Sequence, residues 1–159
     1  MHQTAFKFKN KKVAKTNVKL FIELGDLMLY AARNKTTVKR VFIGKASPKL
    51  VREGEKHGLD FKDAKVYVDS SALQHSFKKH GVNSIMAKNG ALPLCPFDLM
   101  FLPDLIQTGR IIEVNKNGFL IEKTNTGVIG GIFCTMRVSN RKGKRIFLVS
   151  MYNSKKKGS

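Results

Sequence analysis

The chain has 159 residues, of which 30 are Lys or Arg and 11 are Asp or Glu, giving a formal net charge of +19. That length suits one domain, or one domain with an added arm. With 42% apolar residues there is material for a packed core, which excludes wholesale disorder. No uncharged apolar run approaches the roughly 18–20 residues of a membrane span.

In chain order, residues 1–15 interleave Lys with small residues and with Phe6 and Phe8, and read as a flexible basic arm. No apolar segment with a cleavage site follows, so no secretory signal is expected. Thr16 or Asn17 suits a helix cap. Leu20, Phe21, Leu24, Leu27, Met28 and Ala31 then recur at helical spacing, interrupted only by the charges Glu23 and Asp26. Val38 to Ile43 predicts a short strand ending at Gly44. Ser47-Pro48 predicts a capped helix start, with the helix running to Gly58. Lys65 to Val68 predicts a second strand. Asp69-Ser70-Ser71 offers caps for a helix ending at His80, with Gly81 placed for a left-handed C-terminal residue. Pro96 to Thr108 has helical spacing, but Pro103 must kink or split it into two short turns.

From Gly109 the period becomes two. Strands are predicted at Arg110–Val114, Phe119–Lys123, Ile129–Ser139 and Lys144–Tyr152. Asn117-Gly118, Thr126-Gly127 and residues 140–143 separate them, and Gly130-Gly131 marks a bulge. Short links favour an antiparallel meander. The expected fold class is therefore α+β, with N-terminal helices packed on a C-terminal antiparallel four-stranded meander sheet. The expected division is an arm and N-terminal helix over 1–37, a folded domain over 38–153 and a basic tail over 154–159.

All eleven acids lie between Glu23 and Glu122. The N-terminal 22 residues and everything after Glu122 are basic or neutral, including Lys123, Arg137, Arg141, Lys142, Lys144, Arg145 and Lys155 to Lys157. Such an excess points to a polyanionic partner, because Lys and Arg release counterions condensed on phosphates. The blander reading is a solvated basic surface. A membrane surface is disfavoured, since the basic ends show no amphipathic pattern. Cys95 and Cys134 lack CxxC spacing and read as buried free thiols.

The stretch Leu73 to Gly81 carries two of the four histidines. At about 100° per residue, Phe77 and His80 share the face of Leu73, whereas His75 and Lys79 fall on the opposite face. His75 and His80 are not an i,i+4 metal pair, and no third ligand is near in sequence, so no metal is expected. His80 is either a structural histidine at a helix end or a proton carrier. His75 is either an exposed polar residue or a partner in the same chemistry. RNA cleavage needs a base for the 2′-hydroxyl and an acid for the leaving 5′-oxygen, and histidine does both near neutral pH. A lysine such as Lys79 would steady the charge that develops on phosphorus.

On the last strand, strict alternation puts Ile146, Leu148, Ser150 and Tyr152 on one face and Phe147, Val149 and Met151 on the other. On the strand before it, Thr135 and Arg137 share a face suited to phosphate. No Walker loop, GxSxG elbow or HExxH helix is present.

The ordered set Phe42-Ile43-Gly44, Gly58-Leu59-Asp60, Val66-Tyr67-Val68, the His75…His80-Gly81 helix, Phe97-Asp98-Leu99…Leu102-Pro103-Asp104-Leu105-Ile106 and Leu148-Val149-Ser150-Met151-Tyr152 resembles a known family. It is similar to the phage-borne nuclease domains grouped with barnase, EndoU, colicin tRNases and RelE, the BECR fold, over residues 38–153. The resemblance implies metal-independent RNA cleavage by 2′-hydroxyl attack, with no cofactor. It implies that His75, His80, Ser150 and Tyr152 carry the catalysis, Ser150 standing where the family often has Thr. Lys79, Lys123 and Arg137 are the expected RNA contacts on the charge argument, with Thr135 added because it shares the strand face of Arg137. The implied setting is an endoribonuclease of phage or toxin type acting in a cytoplasm, phage-encoded or delivered into a target cell. RNA is the expected partner, with an acidic inhibitor or immunity protein as a second. The alternative is a non-catalytic basic RNA- or DNA-binding module on the same fold.

Overall fold

A computed structural model describes residues 4–33, 36–82, 84–89, 93–124, 129–140 and 143–155. His2, the turn at Thr126-Gly127, the pair Arg141-Lys142 and the tail from Lys156 lie outside them. The order is α1 (Thr4–Arg33), β1 (Arg40–Lys45), α2 (Pro48–Glu55), β2 (Lys65–Asp69), α3 (Ser70–His80) and α4 (Ile85–Lys88). A 3-10 segment (Pro96–Phe101), α5 (Leu102–Thr108), β3 (Arg110–Asn115), β4 (Gly118–Thr124), β5 (Ile129–Ser139) and β6 (Arg145–Lys155) follow. The chain is thus α+β, helices first and a mostly antiparallel sheet last. No helix of the described residues is long and apolar enough to cross a membrane.

Among the described residues the sheet has six strands, not four, in the order β1-β2-β6-β5-β4-β3. β3 to β6 are consecutive antiparallel neighbours. β2 then joins β6 in parallel, and β1 closes the far edge against β2. Those two strands lie more than 70 residues before β6, a pairing that local periodicity does not report. β1 also continues through Gly44 to Lys45, because Gly44 sits at φ +140 in a bulge that other residues rarely tolerate.

Several local expectations hold for the reasons given. Ser47 caps α2, its hydroxyl accepting from Leu50 N. Pro103 lies in the first turn of α5 and splits the 96–108 segment as expected. The register of β5 shifts between Ile129 and Gly131. Other expectations fail. α2 stops at Glu55, short of Gly58, and Cys95 is only partly buried. The supposed arm is helical from Thr4, the first half of a single 30-residue α1. Gly81 is extended (φ −74, ψ −179), not left-handed. Its glycine is needed for space, since a Cβ there would lie 2.3 Å from the Phe77 carbonyl oxygen.

The helices cover one face of the sheet. Leu24, Leu27 and Ala31 of α1, Leu50 of α2, Leu73 of α3 and Leu102, Leu105 and Ile106 of α5 are buried with Val66, Val68, Phe119, Ile121, Cys134, Met136, Ile146, Leu148 and Met151 of the strands. The second half of α1 therefore belongs to the core that 38–153 builds. Burial of these side chains, at about 25 cal/mol per Å² of apolar area, is the main force holding the two layers together.

Candidate nucleic-acid interface and active site

β2 pairs with β6 only from Lys65 to Tyr67, opposite Arg145 to Phe147. Beyond that point α3 runs beside β6 in place of a strand. The buried Ser76 secures it: its hydroxyl donates to Ala72 O (2.7 Å) and accepts the Met151 backbone N–H (3.0 Å), which has no strand partner on that side. The far end of β6 is held by Asn153, whose side-chain amide donates to Pro93 O (3.1 Å) and to the buried Asp98 carboxylate (2.9 Å). Asp98 also accepts from Cys95 N (2.8 Å) at the start of the 3-10 segment. These contacts set the height of α3 and the 3-10 segment against Ser150 and Tyr152.

The register of β5 on β6 decides which side chains share a face. Phe133 lies opposite Tyr152, Cys134 opposite Met151 and Thr135 opposite Ser150; after a bulge, Met136 lies opposite Leu148 and Arg137 opposite Phe147. Val149 is the extra residue. The bulge reverses the alternation of β6, so the strict pattern read from sequence is wrong on one side of it. Ile146 and Leu148 join Met151 in the core, and it is Phe147 that shares the open face with Ser150 and Tyr152.

Along this open edge the two histidines of α3 are spread over β6. The exposed His75 lines a shallow cavity of about 290 Å³ with Asp69, Ser71, Arg137 and Val149. The half-buried His80 packs on Tyr152, ring centroids 5.2 Å apart, and Tyr152 stacks on Phe133 at 5.2 Å and 7°. Positions 149 and 152 are about 10 Å apart along an extended strand, and the Thr135/Ser150 hydroxyl pair lies between them. Burial, then the neighbouring Lys79 and His75, lowers the His80 pKa from its ordinary value, so its imidazole is neutral at neutral pH. Burial, then Cys134, Glu113 and Glu122, raises that of Tyr152, which keeps its proton. Burial likewise pushes the Cys134 thiol up and leaves it inert.

Of the residues named from sequence, His75, His80, Ser150, Tyr152, Thr135 and Arg137 come together on this face. Lys79 is exposed on α3 and reaches the site only through its charge on His80. Lys123 does not join them. It lies opposite Ile132, on the helix-covered side, and its ammonium pairs with Asp104 and with Thr108 Oγ1 (3.2 Å) of α5. Sequence reasoning missed Arg40, Tyr67, Arg145, Phe133 and Phe147. All are strand residues whose face is set by partners remote in sequence.

Among the described residues, no three His, Cys, Asp or Glu side chains gather as a metal site. A scan of protein-family models and searches of curated proteins and of solved structures return no match to this chain.

Proposed function

We propose that the protein is a metal-independent endoribonuclease, and that the open edge of β6 is its active site. The observation that carries the reading is the placement of His75 and His80 on either side of the Thr135/Ser150 hydroxyls, with Arg137 beside His75. The resemblance of 38–153 to BECR nuclease domains supports it.

In this reading the neutral His80 takes the proton of the ribose 2′-hydroxyl. The 2′-oxygen bonds to the adjacent phosphorus, and the bond from phosphorus to the 5′-oxygen breaks. His75 gives a proton to that leaving oxygen. The products are a 2′,3′-cyclic phosphate and a free 5′-hydroxyl. Ser150, Thr135 and Arg137 hold the non-bridging oxygens as charge builds on them. Tyr152 positions His80 through its ring and donates its retained hydroxyl proton in a hydrogen bond to the phosphate.

Incubating labelled RNA with the protein in EDTA tests this directly. Cleavage by the wild type and its loss in His75→Ala and His80→Ala is the expected result. No wild-type cleavage, or cleavage at the wild-type rate by both variants, overturns it. A second reading, a nucleic-acid-binding module without catalysis, draws on the arginines and aromatics of the same face, whose affinity for phosphate and bases needs no histidine. It predicts salt-sensitive binding and no product.

A further inference from the structure

Phe147 lies beneath three arginines. The guanidinium carbons of Arg137, Arg40 and Arg145 stand 4.4, 4.6 and 5.5 Å from its ring centre, and the ring is 3% exposed. One aromatic pedestal favours one cation over its face. Three converging cations repel each other, and the single carboxylate in the group, Asp69, is taken by Arg40 at 2.6 Å. Arg137 and Arg145 have no ion pair among the described residues, and the buried Arg145 Nε has no hydrogen-bond partner there. Among the described residues two charges, Arg137 and Arg145, are therefore left without a counterion, while the Arg40 fork is held by Asp69 through both Nε and Nη2; an anion here would be met by the two free forks, beside the positive end of the third.

The row continues away from the arginines. Tyr67 stacks on Phe147 at 5.5 Å and 21°, and Phe42 lies against Tyr67 at 5.5 Å. Phe42 is 48% exposed at the edge of the sheet. An exposed ring beside a set of phosphate forks is what an unpaired nucleotide requires, because the base of a duplex has no free face to stack. Arg137 ties this row to the cavity of His75.

We infer that Arg40, Arg137 and Arg145 over Phe147, with Tyr67 and Phe42 beside them, form a subsite that holds a flanking nucleotide of single-stranded RNA. Its phosphate lies among the guanidiniums and its base on Phe42. The inference rests on the open face being the one that meets RNA, and does not require the chain to cut it.

The test is fluorescence anisotropy of a short 2′-O-methyl RNA, which has no free 2′-hydroxyl and stays intact, measured across a salt series. Arg145→Gln weakens binding and lowers the slope of log affinity against log salt by about 0.7, the value for one phosphate contact on a single strand. Phe42→Ala weakens binding about fivefold or more through lost stacking and leaves the slope unchanged. Phe42 is at the surface, so this variant folds whatever happens to Arg145→Gln. Wild-type affinity and slope in both variants overturn the subsite, as does a duplex that binds as tightly as the single strand. Binding that is sensitive to both changes, in a protein that cuts nothing, keeps the subsite and overturns the nuclease. Cleavage with insensitive binding does the reverse.

Discussion

On β5, Cys134 and Met136 project into the helix layer while Phe133, Thr135 and Arg137 project the other way, so one strand serves two unlike surfaces. The covered face is closed by aliphatic side chains from α1, α2, α3 and α5. Its cation at the rim, Lys123, is paired with Asp104. The open face gathers Arg40, Arg137 and Arg145 on an aromatic row, with one carboxylate, Asp69, among them. Net charge alone therefore does not locate a binding surface. Charges matter for a polyanion where the fold leaves them without partners, and on the open face Arg137 and Arg145 are so placed beside aromatic rings.

Changes on the two faces should therefore fail in different ways. The largest expected effect is on the open side: His80→Ala lowers RNA cleavage roughly 100- to 10,000-fold, the range for losing a general base, with only a small shift of the thermal midpoint at neutral pH. Met136→Ala, on the covered side of the neighbouring β5, does the opposite. It costs about 2–5 kcal/mol of stability in a denaturant titration, while the protein that remains folded retains activity. Ser76→Ala joins the two behaviours, because it strips the buried Met151 N–H of its acceptor. A loss of about 1–3 kcal/mol together with slower cleavage is expected, and full activity in this variant would show that α3 does not need that anchor to place its histidines.

Smaller effects separate the faces by pH and salt. The folded His80 has a lowered pKa, so the unfolded chain takes up this proton first as pH falls. Its contribution to stability is unaffected above about pH 6.5, and declines as pH drops through the lowered folded value. Cleavage should rise with pH over that same window. Thermal melts and rates at a series of pH values check both, and His80→Gln should flatten the melt series. The smallest effect is a deliberate contrast: Arg137→Gln should reduce the salt slope of RNA binding by about 0.7, and Lys123→Gln should leave it unchanged. Equal slopes in the two variants would break the distinction between the faces.

Much of the secondary structure was legible from local signals. The Ser47 cap, the split at Pro103 and the separation of Leu73, Phe77 and His80 from His75 and Lys79 on α3 all depend on residues within a turn or two of each other. The site was legible in part. His75, His80, Thr135, Ser150, Tyr152 and Arg137 do meet on one face, yet the faces of Phe147 and Leu148 were read in reverse. One bulged residue at Val149 changes the parity of everything before it, and only the partner strand β5 reveals the bulge. Lys123 was misplaced for a related reason, since its acidic partner Asp104 belongs to a helix.

The α+β class, most element positions and the charge are readable from the sequence by itself, because they follow from composition and from spacings of a few residues. Tertiary structure decided that β1 and β2 extend the sheet across β6, that α3 takes the place of a strand beside Met151, and that three arginines meet over Phe147. Those are pairings between segments tens of residues apart, made by backbone hydrogen bonds and core packing that no local pattern encodes. The +19 charge is a property of the whole chain, and its unpartnered part on the open face is a property of the fold.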